Sequence, residues 1–291
     1  MDSNELIKKV RKIEIKTRGL SQNIFAGEYH SAFKGRGMTF SEVREYQYGD
    51  DIRDIDWNVT ARHNHPYIKV YEEERELTVM LLVDVSASSN FGAVGPEKRE
   101  MIAEIAATIA FSAIQNNDKI GAIFFSDKVE KFISPKKGRK HILFLIRELL
   151  DFKPDSKGTD IAQAVRYFSN ALKRRCTMFL LSDFIDNSDY RTPLTVAVSR
   201  HDVMAIQVYD KRDGDLPDVG LMRVSNFETG QTCWIDTSSL RTRKAYNKWW
   251  YDLQQRMSTT LRSTRIDHVS VATDEDYVRA LMSLFKNRST I

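Results

Sequence analysis

The sequence predicts a doubly wound α/β fold, in which helices cover both faces of a mostly parallel sheet. The first observation is that short apolar runs alternate with longer helical patterns from residue 77 onward. The second is the run 77–83, which is almost continuously apolar, as is typical of a strand buried on both faces. The third is the segment 97–115, where Ile102, Ile105 and Ile109 are spaced for one face of a helix.

The later elements continue this alternation. We predict strands at 119–125, 177–181, 203–209 and 269–271, an antiparallel edge strand at 129–134, and helices at 141–150, 159–172, 193–199, 239–264 and 275–285. The segments 221–224 and 231–235 flank Glu228-Thr229-Gly230, a pattern that predicts a β-hairpin inserted near residues 216–237.

The first 76 residues depart from the alternation and predict a separate segment. Residues 5–20 have the spacing of an amphipathic helix, whereas residues 21–76 are irregular apart from a strand-like alternation at 67–71. The irregular part carries dense opposite charges around Trp57, namely Arg44, Asp50, Asp51, Arg53, Asp54, Asp56 and Arg62. Two interpretations stay open, a salt-bridged cap on the α/β domain and an interaction platform. We therefore divide the chain into 1–76, the helix and charged cap segment, and 77–291, the α/β domain.

Composition and charge argue against several functional classes. The 291 residues include 44 basic and 40 acidic side chains, a net charge of only +4, whereas nucleic-acid binders concentrate basic residues on one face. Cys176 and Cys233 are too few for a disulfide framework or a zinc ligand set, and they fit a reducing compartment. No apolar run approaches the ~20 residues of a membrane-spanning helix. We expect a soluble cytoplasmic protein that neither binds nucleic acid nor inserts into a membrane.

Oxygen-bearing side chains follow the predicted strands where a ligand site is expected. Asp84, Ser86 and Ser88 come at the carboxyl end of the first buried strand, Asp183 follows the strand 177–181, and Thr159 stands at the start of a helix. Ligands of open α/β sheets bind beyond the carboxyl ends of the strands, where the strand order reverses. Mg²⁺ takes about six oxygen ligands in near-octahedral geometry. These residues therefore predict a site for Mg²⁺ or Mn²⁺.

The balance of donors indicates what such an ion does. Two carboxylates match the divalent charge, while the three hydroxyls are neutral ligands, so the ion remains electrophilic and can accept a carboxylate from a partner. A haloacid-dehalogenase-like phosphatase is the alternative, and Asp183-Phe184-Ile185-Asp186 superficially suits its last acidic element. That class uses Asp-x-Asp, and Ser86 stands where its second carboxylate acts as general acid and base. We expect a binding protein rather than an enzyme.

The chain resembles a bacterial von Willebrand factor A-like family that is catalogued as domain of unknown function number fifty-eight. The resemblance is carried by Asp84-x-Ser86-x-Ser88 and by a longer upstream string: Gly37-Met38-Thr39-Phe40, Arg44-Glu45-Tyr46, Gly49-Asp50-Asp51, Arg53, Asp56-Trp57 and Thr60-Ala61-Arg62. One departure is Ser89, which stands where the family commonly has methionine after the second serine.

The resemblance implies a fold, a site and partners. It implies a von Willebrand factor A or Rossmann-like sheet and a metal-ion-dependent adhesion site formed by Asp84, Ser86, Ser88, Thr159 and Asp183. It also implies work with a MoxR-type AAA+ ATPase, and with other von Willebrand factor A-like proteins, in chaperone-like assembly or maturation of other proteins.

Overall fold

The computed structural model describes residues 3–20, 39–63, 65–72, 77–90, 97–225 and 231–289. The chain divides into two units, residues 1–32 with 77–291, and residues 33–76. Helix α1 (Ser3–Leu20) belongs to the larger unit, although the sequence prediction groups it with the cap segment. Its Leu6 and Ile13 are buried, and its Lys9 forms an ion pair with Glu100 of the larger unit.

The smaller unit is a short antiparallel pair with a helix between its strands. Strand β1 (Thr39–Glu45) pairs with β2 (Tyr67–Glu72), and α2 (Trp57–His63) lies between them in sequence. Arg44 donates two hydrogen bonds of 2.8 Å to Asp50, and Asp56 accepts from the backbone N–H groups at the start of α2. Trp57 itself is 68% exposed, so the charges do not enclose it.

The larger unit contains the predicted alternation of strands and helices. Its elements are β3 (Thr78–Asp84), α3 (Lys98–Gln115), β4 (Lys119–Phe125), β5 (Val129–Lys136), α4 (Arg139–Asp151), α5 (Ile161–Ala171), β6 (Thr177–Ser182), α6 (Arg191–Arg200), β7 (Asp202–Tyr209), β8 (Leu221–Ser225), β9 (Thr232–Asp236), α7 (Leu240–Ser263), β10 (Asp267–Ala272) and α8 (Tyr277–Ser289). Each lies within a few residues of its predicted position.

Among the described residues the main sheet has six strands in the order β10-β7-β6-β3-β4-β5. All neighbours are parallel except β5, which runs antiparallel to β4. The chain therefore winds outward from β3 to one edge, returns to β6 and winds to the other edge. This arrangement confirms the predicted doubly wound fold and places its switch point between β3 and β6.

Burial on both faces of the sheet explains why the central strands are continuous apolar runs in the sequence. Every residue of β6 is buried, and so is β3 beyond its first residue, because helices cover both faces. On one face Leu82 and Leu180 pack with Val165 and Phe168 of α5. The two central strands are thus held rigidly, and their carboxyl ends present the following loops at fixed positions.

The inserted hairpin is formed by β8 and β9, which pair antiparallel with Met222 opposite Ile235. The predicted turn at Glu228-Thr229-Gly230 lies outside the described residues. Among the described residues, no helix combines the length and apolar character that crossing a membrane requires.

Candidate metal centre

The switch point gathers the two carboxylates of the predicted site. Asp84 is the last residue of β3, and Asp183 directly follows β6. Because β3 and β6 are parallel neighbours, their carboxyl ends open at the same edge of the sheet. Both side chains are buried, with 2% and 3% of each residue exposed.

Both oxygens of the Asp84 carboxylate are held by hydrogen bonds. Its Oδ1 accepts from the backbone N of Ser86 at 2.9 Å, and its Oδ2 accepts from Ser182 Oγ at 2.6 Å. Burial raises the pKa of Asp84 to about 7, and the nearby Asp183 adds to the rise, which these hydrogen bonds only partly offset. Asp84 is therefore a carboxylate whose charge is costly in the absence of a cation.

The two serines of the motif converge in a short loop. Ser86 Oγ lies 3.0 Å from Ser88 Oγ, since a 3₁₀ turn at Ala87–Asn90 brings alternate side chains to one side. Ser89, the departure from the family pattern, donates its hydroxyl to the carbonyl of Ser86 at 2.7 Å and is itself buried. Its polar side chain thus closes the turn and leaves the donor pair intact.

Thr159 lies in the loop before α5, and this loop is hydrogen-bonded to the serine loop. The backbone N of Ala87 donates to the carbonyl of Lys157 at 3.1 Å, which joins the serine loop to this one. Asp160 then caps α5 by accepting from Gln163 N at 2.8 Å. The Thr159 hydroxyl is buried and has no hydrogen-bond partner among the described residues. An unsatisfied buried hydroxyl costs about 1–3 kcal/mol, and a cation bound to this oxygen would offset that cost.

Asp183 has a partner that sequence reasoning missed. Lys98 Nζ lies 2.9 Å from Asp183 Oδ2 and 2.7 Å from Asp213 Oδ2, with only 1% of the lysine side chain exposed. Burial lowers the pKa of Lys98, but Asp183 and Asp213 together outweigh it, so the pKa is raised and the ammonium stays charged. One feature of the sequence could have pointed to Lys98: it lies in the first turn of a predicted helix, where the helix dipole disfavours a cation.

A reinforced loop after β7 positions Asp213. Asp210 and Asp213 cap each other across a 3₁₀ turn, and Thr273 Oγ1 donates to Asp210 at 3.2 Å. The next residue is Gly214, where a Cβ would collide with the indole of Trp250 on α7. Sequence reasoning did not select Asp213, which this loop brings beside Lys98.

The charges at the switch point fit a divalent cation. The carboxylates of Asp84, Asp183 and Asp213 with the ammonium of Lys98 leave a formal charge of −2 when all are ionised. Among the described residues, no group of three or more His, Cys, Asp or Glu side chains is arranged to hold a metal. A metal here therefore depends on the hydroxyls of Ser86, Ser88 and Thr159, and hydroxyl and carboxylate oxygens suit Mg²⁺.

The chain belongs to the family described as "Protein of unknown function DUF58", whose model matches residues 42–256, and the predicted family membership is thereby confirmed. It is 32% identical over 232 residues to uncharacterized protein Rv1480 of Mycobacterium tuberculosis, covering 79% of this chain and 73% of the relative. It is 31% identical over 110 residues to uncharacterized protein YeaD of Bacillus subtilis, covering 38% and 25%.

A solved structure shares the fold. That of an aerotolerance-related membrane protein from Bacteroides fragilis has a TM-score of 0.51 at 14% identity and covers 74% of this chain and 98% of its own. This similarity concerns the fold alone.

Proposed function

We propose that this chain is a metal-dependent protein-binding adaptor that catalyses no reaction of its own. Mg²⁺ or Mn²⁺ would be held by Asp84, Ser86, Ser88, Thr159 and Asp183. The observation that carries the proposal is the buried Thr159 hydroxyl, which has no hydrogen-bond partner among the described residues, together with the Ser86 and Ser88 hydroxyls that converge to 3.0 Å in the loop after Asp84.

Each residue has a separate part in binding. Asp84 supplies charge that its burial disfavours until a cation arrives. Ser86, Ser88 and Thr159 supply neutral oxygens, so that only Asp84 and Asp183 offset the cation's charge. The bound metal then acts as an electrophile toward a carboxylate, and we infer that an acidic residue of a partner protein supplies it.

The partners we propose are a MoxR-type AAA+ ATPase and other von Willebrand factor A-like proteins. The support is the family resemblance, which implies a role in chaperone-like assembly or maturation of other proteins. A cytoplasmic location is part of the proposal, and the free thiols of Cys176 and Cys233 are consistent with it.

The phosphatase alternative loses support from the contacts of Asp186. Its Oδ2 accepts from Ile161 N at 2.8 Å and from Ser188 Oγ at 2.7 Å, while its Oδ1 accepts from Ser188 N at 2.6 Å. This carboxylate fastens the loop after β6 to the start of α5. With Ser86 at the general acid position as well, the chain offers little for phosphoryl transfer.

Thr159→Ala tests the proposed function, because the hydroxyl it removes bonds to none of the described residues. We expect the metal-free melting temperature to stay the same or rise slightly, and the Mn²⁺ affinity measured by calorimetry to fall about tenfold or more. Asp84→Ala should abolish both the Mg²⁺-dependent thermal stabilisation and the pull-down of the ATPase.

Ser169→Ala is the matched control for Thr159→Ala. Ser169 also has a buried hydroxyl without a partner among the described residues, but it lies about 12 Å along α5 from the helix start at Ile161, at 1.5 Å per residue. Its Mn²⁺ affinity should equal that of the wild type. Equal affinities for Thr159→Ala and wild type, or an Asp84→Ala variant that keeps its stabilisation and pull-down, would contradict the proposal.

A further inference from the structure

Lys98 is a buried charge that the proposed ligand set does not use. Its ammonium lies between the carboxylates of Asp183 and Asp213, and its side chain is 1% exposed. Burying an ammonium is strongly unfavourable unless it is paired and hydrogen-bonded. A lysine kept in this place therefore needs an explanation in terms of the site that it adjoins.

The contacts of Asp183 show what Lys98 does to the site. Asp183 Oδ2 accepts from Lys98 at 2.9 Å, and Asp183 Oδ1 accepts from Ile185 N at 3.1 Å. Each oxygen of Asp183 thus accepts one hydrogen bond within the protein, and Lys98 balances one of the two negative charges of Asp183 and Asp213. Lys98 lowers the negative charge that a cation at the site experiences.

We propose that Lys98 sets the charge of the metal centre so that the metal-loaded site accepts an anionic ligand. This inference rests on the proposed function. With Lys98 the formal charge of −2 is cancelled by a divalent ion, so an incoming carboxylate meets a neutral site with an electrophilic metal. Without Lys98 the loaded site would carry a net negative charge, which repels a carboxylate at close range.

The loop that carries Asp213 makes this charge arrangement stable. Asp213 Oδ2 accepts from Asp210 N at 2.9 Å, and the neighbouring Gly214 packs against Trp250. Lys98 therefore has a fixed second carboxylate, and its ammonium remains beside Asp183 without depending on solvent.

A charge series tests the proposal with Mn²⁺ as the probe and calorimetric affinity as the readout. Lys98→Met should bind Mn²⁺ at least tenfold more tightly than wild type, because a repelling charge is removed. Asp213→Asn should bind it more weakly, and the asparagine oxygen can still accept from Asp210 N. The double variant restores the wild-type charge and should restore the wild-type affinity within about threefold.

Two further readouts separate charge from structure. Lys98→Met leaves Asp183 and Asp213 buried without their cation, so its metal-free melting temperature should fall, and Mn²⁺ should raise that temperature more than in wild type. Acetate, the probe for a partner carboxylate, should strengthen Mn²⁺ binding in wild type and do so less in Lys98→Met. Lys98→Arg keeps the charge and should behave as wild type in both respects.

Lys131→Met is the control, since this half-exposed lysine pairs with Glu148 away from the switch point and its removal should leave the Mn²⁺ affinity unchanged. An unchanged or weaker affinity in Lys98→Met would overturn the inference while the proposed function stands. If Lys98→Met does not fold, Asp213→Asn and the double variant decide, and equal affinities for these two overturn it. A wild type that binds no Mn²⁺ overturns both proposals.

Discussion

At the scale of single residues, the candidate site stands out by groups that the fold alone leaves unfavourable. Asp84 is buried with a pKa raised to about 7, and the Thr159 hydroxyl is buried without a partner among the described residues. Carboxyl groups with strongly shifted pKa values cluster at functional sites. A bound cation would relieve both at once, which connects the local energetics to the proposed function.

The pH dependence of Asp84 gives a prediction with two opposite signs. In the metal-free protein, between pH about 4 and about 7, Asp84 is protonated in the folded state and ionised in the unfolded chain. The free energy of unfolding should therefore fall as pH rises through this window. Metal binding needs the carboxylate, so Mn²⁺ affinity should fall as pH drops below about 7, by up to tenfold per unit.

Asp84→Asn provides the comparison, because an amide does not titrate in this range. As pH rises from 4 to 7, the free energy of unfolding in urea of metal-free wild type should fall relative to that of Asp84→Asn. A flat difference, together with a Mn²⁺ affinity of wild type that is constant from pH 8 to 6, would refute this assignment.

At the scale of elements, the sequence predicted the parts of the site that depend on local order. The end of an apolar run marks the end of a buried strand, and the loop that follows must lie at the edge of the sheet. This placed Asp84, Ser86, Ser88 and Asp183 at the carboxyl ends of the strands. Thr159 followed from its position at a helix start. These predictions needed only the alternation of strands and helices.

The remaining parts of the site depend on contacts that strand patterns do not encode. Lys98 and Asp183 are 85 residues apart in sequence, and Asp213 reaches Lys98 only because the loop after β7 is capped by Asp210. Ser182, which donates to Asp84 across 98 residues, was also missed. Such pairings depend on which strands are neighbours in the sheet. The sequence predicted a doubly wound sheet but not its strand order.

Asp186→Ala is the prediction at this scale, because Asp186 joins the loop after β6 to α5. Its removal leaves Ile161 N and the two Ser188 donors without their acceptor. This should lower the free energy of unfolding in urea by about 1–3 kcal/mol. It should also weaken Mn²⁺ binding, because Thr159 lies two residues before Ile161. Asp189→Ala removes an exposed contact to Arg191 N and should cost less than about 1 kcal/mol. Equal costs for the two variants would argue against the proposed role of Asp186.

At the scale of the whole molecule, the chain divides into two units. The larger unit contains the switch point, the candidate ligands and Lys98, so all residues of the candidate metal centre lie within it. The smaller unit contains most of the family's upstream string, and its Arg44–Asp50 pair and helix caps stabilise it locally. Within this segment Arg44 and Asp50 are paired, while Trp57 is exposed.

The central strands should dominate the stability of the larger unit. Leu180 is fully buried in β6, and Leu180→Ala should lower the unfolding free energy by about 2–5 kcal/mol through lost burial and a cavity. Val196→Ala on α6 removes an apolar side chain that is 43% exposed, and its cost in the same urea titration should stay below about 1 kcal/mol. A Leu180→Ala cost as small as this would contradict the assigned core.

The most direct test of the candidate metal centre is a crystal structure of the protein grown with Mn²⁺, together with an anomalous difference map that locates the metal. We expect one strong anomalous peak at the carboxyl ends of β3 and β6, within about 2.0–2.3 Å of the hydroxyl oxygens of Ser86, Ser88 and Thr159. Saturating Mn²⁺ with no peak at this position, or with bound metal only elsewhere, would contradict it.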